Sequence, residues 1–123
     1  MDNKKRGEKG EKAAASYLES KGLKILHRNY TCKLGEIDII LEDDGVIVFV
    51  EVKYRHNLSK GRPLEAVNYY KQRKIQNTAL WYAKEYSLFE KAIRFDVIEV
   101  LGQSENITWI KEAFWINNNS RFL

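Results

Sequence analysis

The sequence predicts an α/β fold, with a central mixed sheet of about five strands flanked by helices. Three observations favour it: the segment order α-β-β-β-α-β-β, an Asp-Gly pair between two apolar runs, and a length of 123 residues with no Gly/Ser-rich linker. We therefore expect one domain over residues 1–123, ending in a flexible tail from about residue 117.

The first half of the chain is predicted to form a helix and three strands. The helix covers Arg6–Ser20, and its apolar face carries residues at i, i+3, i+4 and i+7. Gly22 is expected to end it. The three strands are Leu23–Arg28, Gly35–Glu42 and Val46–Arg55. The residues on the helix face are Glu11, Ala14, Ala15 and Leu18.

The second half is predicted to add one long helix and two strands. Pro63 opens a helical turn, and Asn68 is expected to cap a helix that runs to about Tyr86. Ala92–Leu101 is the fourth strand, and Ile107–Ile110 is a candidate fifth.

Composition excludes several protein classes. The longest purely apolar run is Val46–Val50, far too short for a membrane helix, and the charged first dozen residues contain no signal-peptide core. The single cysteine, Cys32, has no partner for an internal disulfide, which favours a reducing compartment. We expect a soluble cytoplasmic domain with no membrane association.

Positive charge is concentrated in one stretch of the chain. The formal net charge is +4, but residues Lys53 to Lys74 alone carry +6 and the other residues sum to −2. Such a cluster indicates a binder of phosphate backbones, the alternative being a solvated basic face. Tyr69 or Tyr70 adds a candidate base contact. The candidate nucleic-acid-binding residues are Arg55, Lys60, Arg62, Lys71 and Arg73.

Polar residues interrupt the second and third strands. Alternation places Ile37, Ile39 and Leu41 on one face and Asp38 on the other. On the third strand, the face that begins with Ile47 and Phe49 continues as Glu51, Lys53 and Arg55. This strand begins in the core and ends in polar surroundings, where we expect a site.

Hairpin register predicts that two acids meet. A two-residue turn at Asp44-Gly45 places Asp38 directly across from Glu51, with Cβ atoms roughly 4.5–5.5 Å apart, whereas a three-residue turn leaves them offset. Like charges this close need a proton, a cation or a metal ion. Lys53 is an available cation, so a structural Asp/Glu/Lys cluster is one interpretation. Mg²⁺ (or Mn²⁺) held by the two carboxylates is the other.

Asp38 followed by Glu51-Val52-Lys53 resembles the D…(D/E)xK signature of the restriction-endonuclease-like nucleases. Further segments occur in the order of the bacterial YraN family, which is similar to archaeal Holliday-junction resolvases. These segments are Gly7-Glu8-Lys9-Gly10-Glu11, Gly35-Glu36-Ile37-Asp38, Phe49-Val50-Glu51-Val52-Lys53, Lys71-Gln72 and Arg94-Phe95-Asp96-Val97. Tyr54 departs from the usual Thr, at a position facing away from Lys53.

The resemblance implies a restriction-endonuclease-like fold and assigns roles to residues. Asp38, Glu51 and the backbone carbonyl of Val52 would bind the metal, and Lys53 would be the catalytic lysine. Glu11 would be a helix-borne acid aimed at the same metal; the alternative is a first-turn residue that favours the helix dipole. Gln72 would match a downstream catalytic glutamine, or else hydrogen-bond within the core.

Other candidates have simpler explanations. His27, His56 and Cys32 lack partners at metal-ligand spacing. Asp96 is expected to be structural and to pair with Arg94. The aromatic residues near the C-terminus are expected to pack in the core, and would indicate a homodimer contact if exposed together. They are Trp109, Phe114 and Trp115.

The leading hypothesis is a Mg²⁺-dependent endonuclease that hydrolyses phosphodiester bonds in DNA, with branched or structured DNA among its candidate substrates. One alternative is a non-catalytic nucleic-acid-binding module on a nuclease scaffold. The other is a protein-interaction domain whose apparent DNA affinity barely changes with salt.

Overall fold

In the part of the chain that the structure describes, the fold is a five-stranded sheet with one helix on each face, as the sequence predicts. A computed structural model of the protein describes residues 3–55, 68–102 and 106–114. The elements are α1 (Asn3–Ser20), β1 (Lys24–Cys32), β2 (Gly35–Asp43), β3 (Val46–Arg55), α2 (Tyr69–Glu85), β4 (Ile93–Leu101) and β5 (Asn106–Phe114).

The strands lie side by side in chain order, β1-β2-β3-β4-β5. Among these five described strands only the β3·β4 pair is parallel, so the sheet is mixed. A parallel pair needs a crossover connection, and here it contains α2. Asn68 caps that helix as predicted, since its side chain accepts a hydrogen bond from the Lys71 backbone N–H at 2.9 Å.

Each helix covers its own apolar layer. Alternation along β3 divides the buried side chains, with Phe49 on the α2 face and Val50 on the α1 face. On the α1 side, the predicted helix stripe of Glu11, Ala14, Ala15 and Leu18 is buried. Neither helix among the described residues is long and apolar enough to cross a membrane.

The β2–β3 hairpin has the predicted turn. Asp44 and Gly45 adopt φ values of 50° and 84°, as expected for a type I′ turn, and pairing runs in the expected register from Asp43↔Val46 to Ile39↔Val50. The pairing then stops one position short of Asp38. This carboxylate instead takes the place of a backbone partner, because its Oδ2 accepts a hydrogen bond from the Val52 N–H at 2.8 Å.

One expectation about side-chain faces is wrong. Ile37 packs with Ile40 in the layer beneath α2, whereas Ile39 and Leu41 pack beneath α1. Simple alternation therefore fails at Asp38. Asn29, which lies between the two β1 residues that flank this point, has φ 55°, so both strands depart from regular geometry here.

Two strands are longer than predicted. β1 continues to Cys32 because its polar second half pairs with the start of β2, and β5 reaches Phe114, which pairs with Phe95. The turn at Pro63, the tail from residue 117, and the side chains of His56, Lys60, Arg62 and Trp115 lie outside the described residues.

Candidate metal and nucleic-acid site

The end of the β2–β3 hairpin carries the predicted acids. Asp38 and Glu51 line a cavity of about 500 Å³ between the sheet and the start of α2. Lysines 71 and 74, together with Tyr70, line its α2 side. The cavity is therefore acidic on the sheet wall and basic and aromatic on the helix wall.

Glu51 occupies a poor environment for a negative charge. Only 10% of its side chain is exposed, and the nearest recorded cation, the Lys71 Nζ, lies 3.7 Å from Oε1. Burial raises the pKa of Glu51 to about 8; the charge of Asp38 and a hydrogen bond between the two carboxyl groups add to the rise. Lys71 and Lys53 oppose it but do not cancel it.

Lys53 lies on the same face of β3, two residues beyond Glu51. Burial lowers the pKa of Lys53 to about 8, and its hydrogen bond with Lys71 adds to the lowering. The charges of Glu51 and Asp38 act in the opposite direction. Two acids and two lysines therefore lie together in a partly buried region. Such an arrangement is typical of sites that transfer protons or bind a charged ligand.

Glu11 reaches this region from the other side of the sheet. Its side chain lines a smaller cavity of about 240 Å³ that Asp38 and Val52 also line. Burial raises the pKa of Glu11, and the charge of Asp38 adds to the rise; the Arg28 Nε, 3.8 Å from Oε1, opposes it. Asp38 thus lies between Glu11 and Glu51.

The donor set fits a hard divalent cation in part. Asp38 and Glu51 supply two neighbouring carboxylates, a common protein contribution to Mg²⁺, and their mutual repulsion favours a cation between them. Among the residues that the structure describes, however, no three acids, histidines or cysteines form a group able to hold one ion. Glu11 is near Asp38 without completing such a group.

Residues 10–100 match the family described as "Uncharacterised protein family UPF0102". The chain belongs to the UPF0102 family. It is 48% identical over 114 residues to a UPF0102 protein of Clostridioides difficile, which covers 93% of this chain and all of that protein. It is 50% identical over 115 residues to one of Lachnoclostridium phytofermentans, covering 93% and 96%.

A third relative is similar at lower identity. A UPF0102 protein of Legionella pneumophila is 42% identical over 110 residues, covering 89% of this chain and 93% of that protein. The UPF0102 match confirms the YraN resemblance at the level of the family.

In this UPF0102 protein, the residues predicted to bind phosphate have different surroundings from one another. Arg55 is largely buried, with Nε 3.5 Å from Glu99 Oε2, so it faces a carboxylate rather than solvent. Arg73 lies against Tyr69, with Nη1 3.4 Å from the tyrosine hydroxyl. Lys71 lines the large cavity.

Sequence reasoning missed two buried polar residues near the site. Glu99 is 4% exposed and pairs across the sheet with Lys53, and Gln76 is 2% exposed one turn beyond Gln72 on α2. Gln72 itself is half-buried. Gln76 lies on the same helical stripe, four residues after Gln72 and three before buried Ala79, so this spacing is the signal that could have predicted its burial.

Asp96 has the structural role expected of it. The carboxylate is fully buried and accepts hydrogen bonds from the Arg94 Nε at 3.0 Å, the Trp109 Nε1 at 2.8 Å and the Glu112 N–H at 3.0 Å. Its charge is thus satisfied within the sheet. Trp109 is held in this network and Phe114 is buried, so these two do not form the exposed cluster that would indicate a homodimer contact.

Proposed function

We propose that this UPF0102 protein is a metal-dependent endonuclease of the restriction-endonuclease-like type, acting on DNA in the cytoplasm. The observation that carries the proposal is the adjacent pair of half-buried Asp38 and Glu51, whose side chain is only 10% exposed, at the end of a hairpin and beside Lys53 and Lys71. A purely structural cluster gains little from two adjacent, partly buried acids, because their repulsion opposes folding.

Each residue of the site would have a defined task. Asp38, Glu51 and the Val52 carbonyl would hold Mg²⁺ or Mn²⁺. The ion, when bound, would lower the pKa of a water molecule and stabilise negative charge on the phosphate. Lys53 would orient that water or neutralise the developing charge, and its lowered pKa suits either proton transfer or charge matching at neutral pH.

The remaining predicted residues would support this centre. Glu11 would support the metal centre from the α1 side, through a water molecule or a second ion, and Gln72 would hydrogen-bond near the phosphate. Lys71 and Arg73 would contact the DNA backbone together with Lys60 and Arg62. We leave Arg55 out of this surface because its guanidinium is buried against Glu99.

Cleavage of branched, nicked and linear DNA in Mg²⁺ or Mn²⁺ tests the proposal. We expect Glu51→Ala and Lys53→Ala to abolish cleavage, because each removes a group the chemistry requires. Glu36→Gln is a matched control, since this exposed acid lines the same cavity. Cleavage by both alanine variants at the parental rate would overturn the assignment.

A second candidate is a non-catalytic nucleic-acid-binding module. The lack of a three-ligand group among the described residues is the observation that favours it. Calorimetric titration with Mn²⁺ separates the two candidates. A nuclease should bind Mn²⁺ as the wild type and lose this binding in Asp38→Asn, whereas a pure binding module should give no heat of binding in the wild type or in the variant.

A further inference from the structure

We propose that the large cavity receives one unpaired nucleotide of the substrate, with its base stacked on Tyr70 and its phosphate facing Lys71 and Lys74. The substrate class is then DNA that contains unpaired nucleotides beside the bond to be cleaved. This proposal rests on the proposed function, which it deepens by naming what the site accepts.

The size of the cavity is the first argument. Its volume of about 500 Å³ lies in the range of small-molecule pockets. A hydrated ion with six waters, at about 30 Å³ each, would fill roughly 180 Å³ of it. The remaining space is large enough for a nucleotide, and it opens directly from the acid pair.

Tyr70 is the second argument. It is the second residue of α2, is 73% exposed and lines the cavity. Large aromatic side chains this exposed at the mouth of a pocket are typical of surfaces that stack on a ligand. Tyr69, the residue before it, lies against Arg73 and does not line the cavity. The two tyrosines therefore differ in position, though not in chemistry.

Charge placement is the third argument. Lys71 and Lys74 line the same wall as Tyr70, so a phosphate attached to a stacked base would meet both ammonium groups. The two ammonium groups supply this attraction, and the Lys71 backbone N–H is already engaged, since it donates to the Asn68 side chain at the start of the helix. A base inside a continuous duplex exposes no face to Tyr70, whereas an unpaired base does.

DNA binding without metal tests this directly. Fluorescence anisotropy in EDTA would compare three DNAs of matched sequence: a continuous duplex, a duplex with a short gap, and a single strand. We expect Tyr70→Ala to weaken binding of the gapped and single-stranded DNAs about 5- to 150-fold and to leave duplex binding unchanged. Tyr70→Phe should retain wild-type affinity, and Tyr69→Ala should retain the preference for unpaired DNA.

A spectroscopic signal adds a readout that a merely structural role would not change. The fluorescence of 2-aminopurine at the unpaired position should fall on binding to wild-type protein, through stacking, and should recover in Tyr70→Ala. Equal weakening of all three DNAs, or unchanged 2-aminopurine fluorescence, would overturn the proposal. If the wild-type protein binds unpaired DNA through Tyr70 but cleaves no DNA, only the proposed function is refuted.

Discussion

Replacing Glu51 by glutamine should stabilise the metal-free protein at neutral pH. In the folded state this carboxyl group is buried next to Asp38, and its pKa is raised to about 8 from an ordinary value of 4.5. Below pH 4.5 the group is protonated in both states. Between pH 4.5 and 8 only the unfolded state ionises, so the free energy of unfolding falls as the pH rises.

The magnitude follows from the same shift. At pH 7 the unfolded carboxyl is 2.5 units above its pKa, which corresponds to about 3 kcal/mol of lost stability at 1.36 kcal/mol per unit. A glutamine avoids this loss, yet its amide must find partners in a site arranged for a carboxyl group. We therefore expect Glu51→Gln to gain about 1–3 kcal/mol at pH 7.

Urea unfolding in EDTA at pH 5, 7 and 8 measures this gain. The variant should be closest to the parent at pH 5 and should exceed it most at pH 8, and Glu36→Gln should follow the parent throughout. Added Mg²⁺ should stabilise the parent more than the variant, because a ligand of the folded state alone raises its stability. A variant less stable than the parent at pH 7 in EDTA would refute the reasoning.

Three further predictions test separate parts of the structure. Lys71→Gln should raise Mn²⁺ affinity several-fold by calorimetry, because it removes an ammonium group 3.7 Å from a proposed ligand; unchanged affinity would contradict that competition. Gly10→Ala should lower the free energy of unfolding by about 1–3 kcal/mol in chemical denaturation, since the added Cβ would meet the Tyr54 Cβ at 2.9 Å. Gly7→Ala in the same helix is the control: its added Cβ meets nothing within 4 Å, so it should raise the free energy of unfolding by up to about 1 kcal/mol. Tyr30→Phe should cost about 1 kcal/mol at pH 8 through loss of a 2.6 Å hydrogen bond. This cost should shrink steadily as the pH rises above 10, because the unfolded tyrosine then ionises while the raised pKa of Tyr30 keeps the folded one protonated.

The fold was predictable where local chemistry decides it. Asp44-Gly45 sets the hairpin register, and Asn68 marks the start of α2, because each acts within a few residues of its own position. The meeting of Asp38 and Glu51 follows from that register. The proximity of these two acids could therefore be predicted from the sequence, although the β2–β3 pairing ends at Ile39↔Val50, one position before them.

The rest of the site depends on contacts that local patterns do not encode. Lys71 reaches Glu51 only because the crossover places α2 above β3, and Arg55 faces Glu99 only because β4 lies parallel beside it. The failure of alternation at Asp38 has a similar origin. The alternation of side chains predicts the face of each residue only in a regular strand, and the backbone of β2 departs from regular geometry at Asp38.

The bond between Asp38 and the Val52 N–H bears on how the proposed site would discriminate between cations. One lone pair of the Asp38 Oδ2 is already engaged, so the other oxygen, Oδ1, is the more available of the two to bind an ion. Mg²⁺ and Mn²⁺ accept such single-oxygen contacts within a small octahedral shell, whereas Ca²⁺ commonly takes both oxygens of a carboxylate in a larger and looser one. The same hydrogen bond that ends the strand pairing would thus favour the smaller ions.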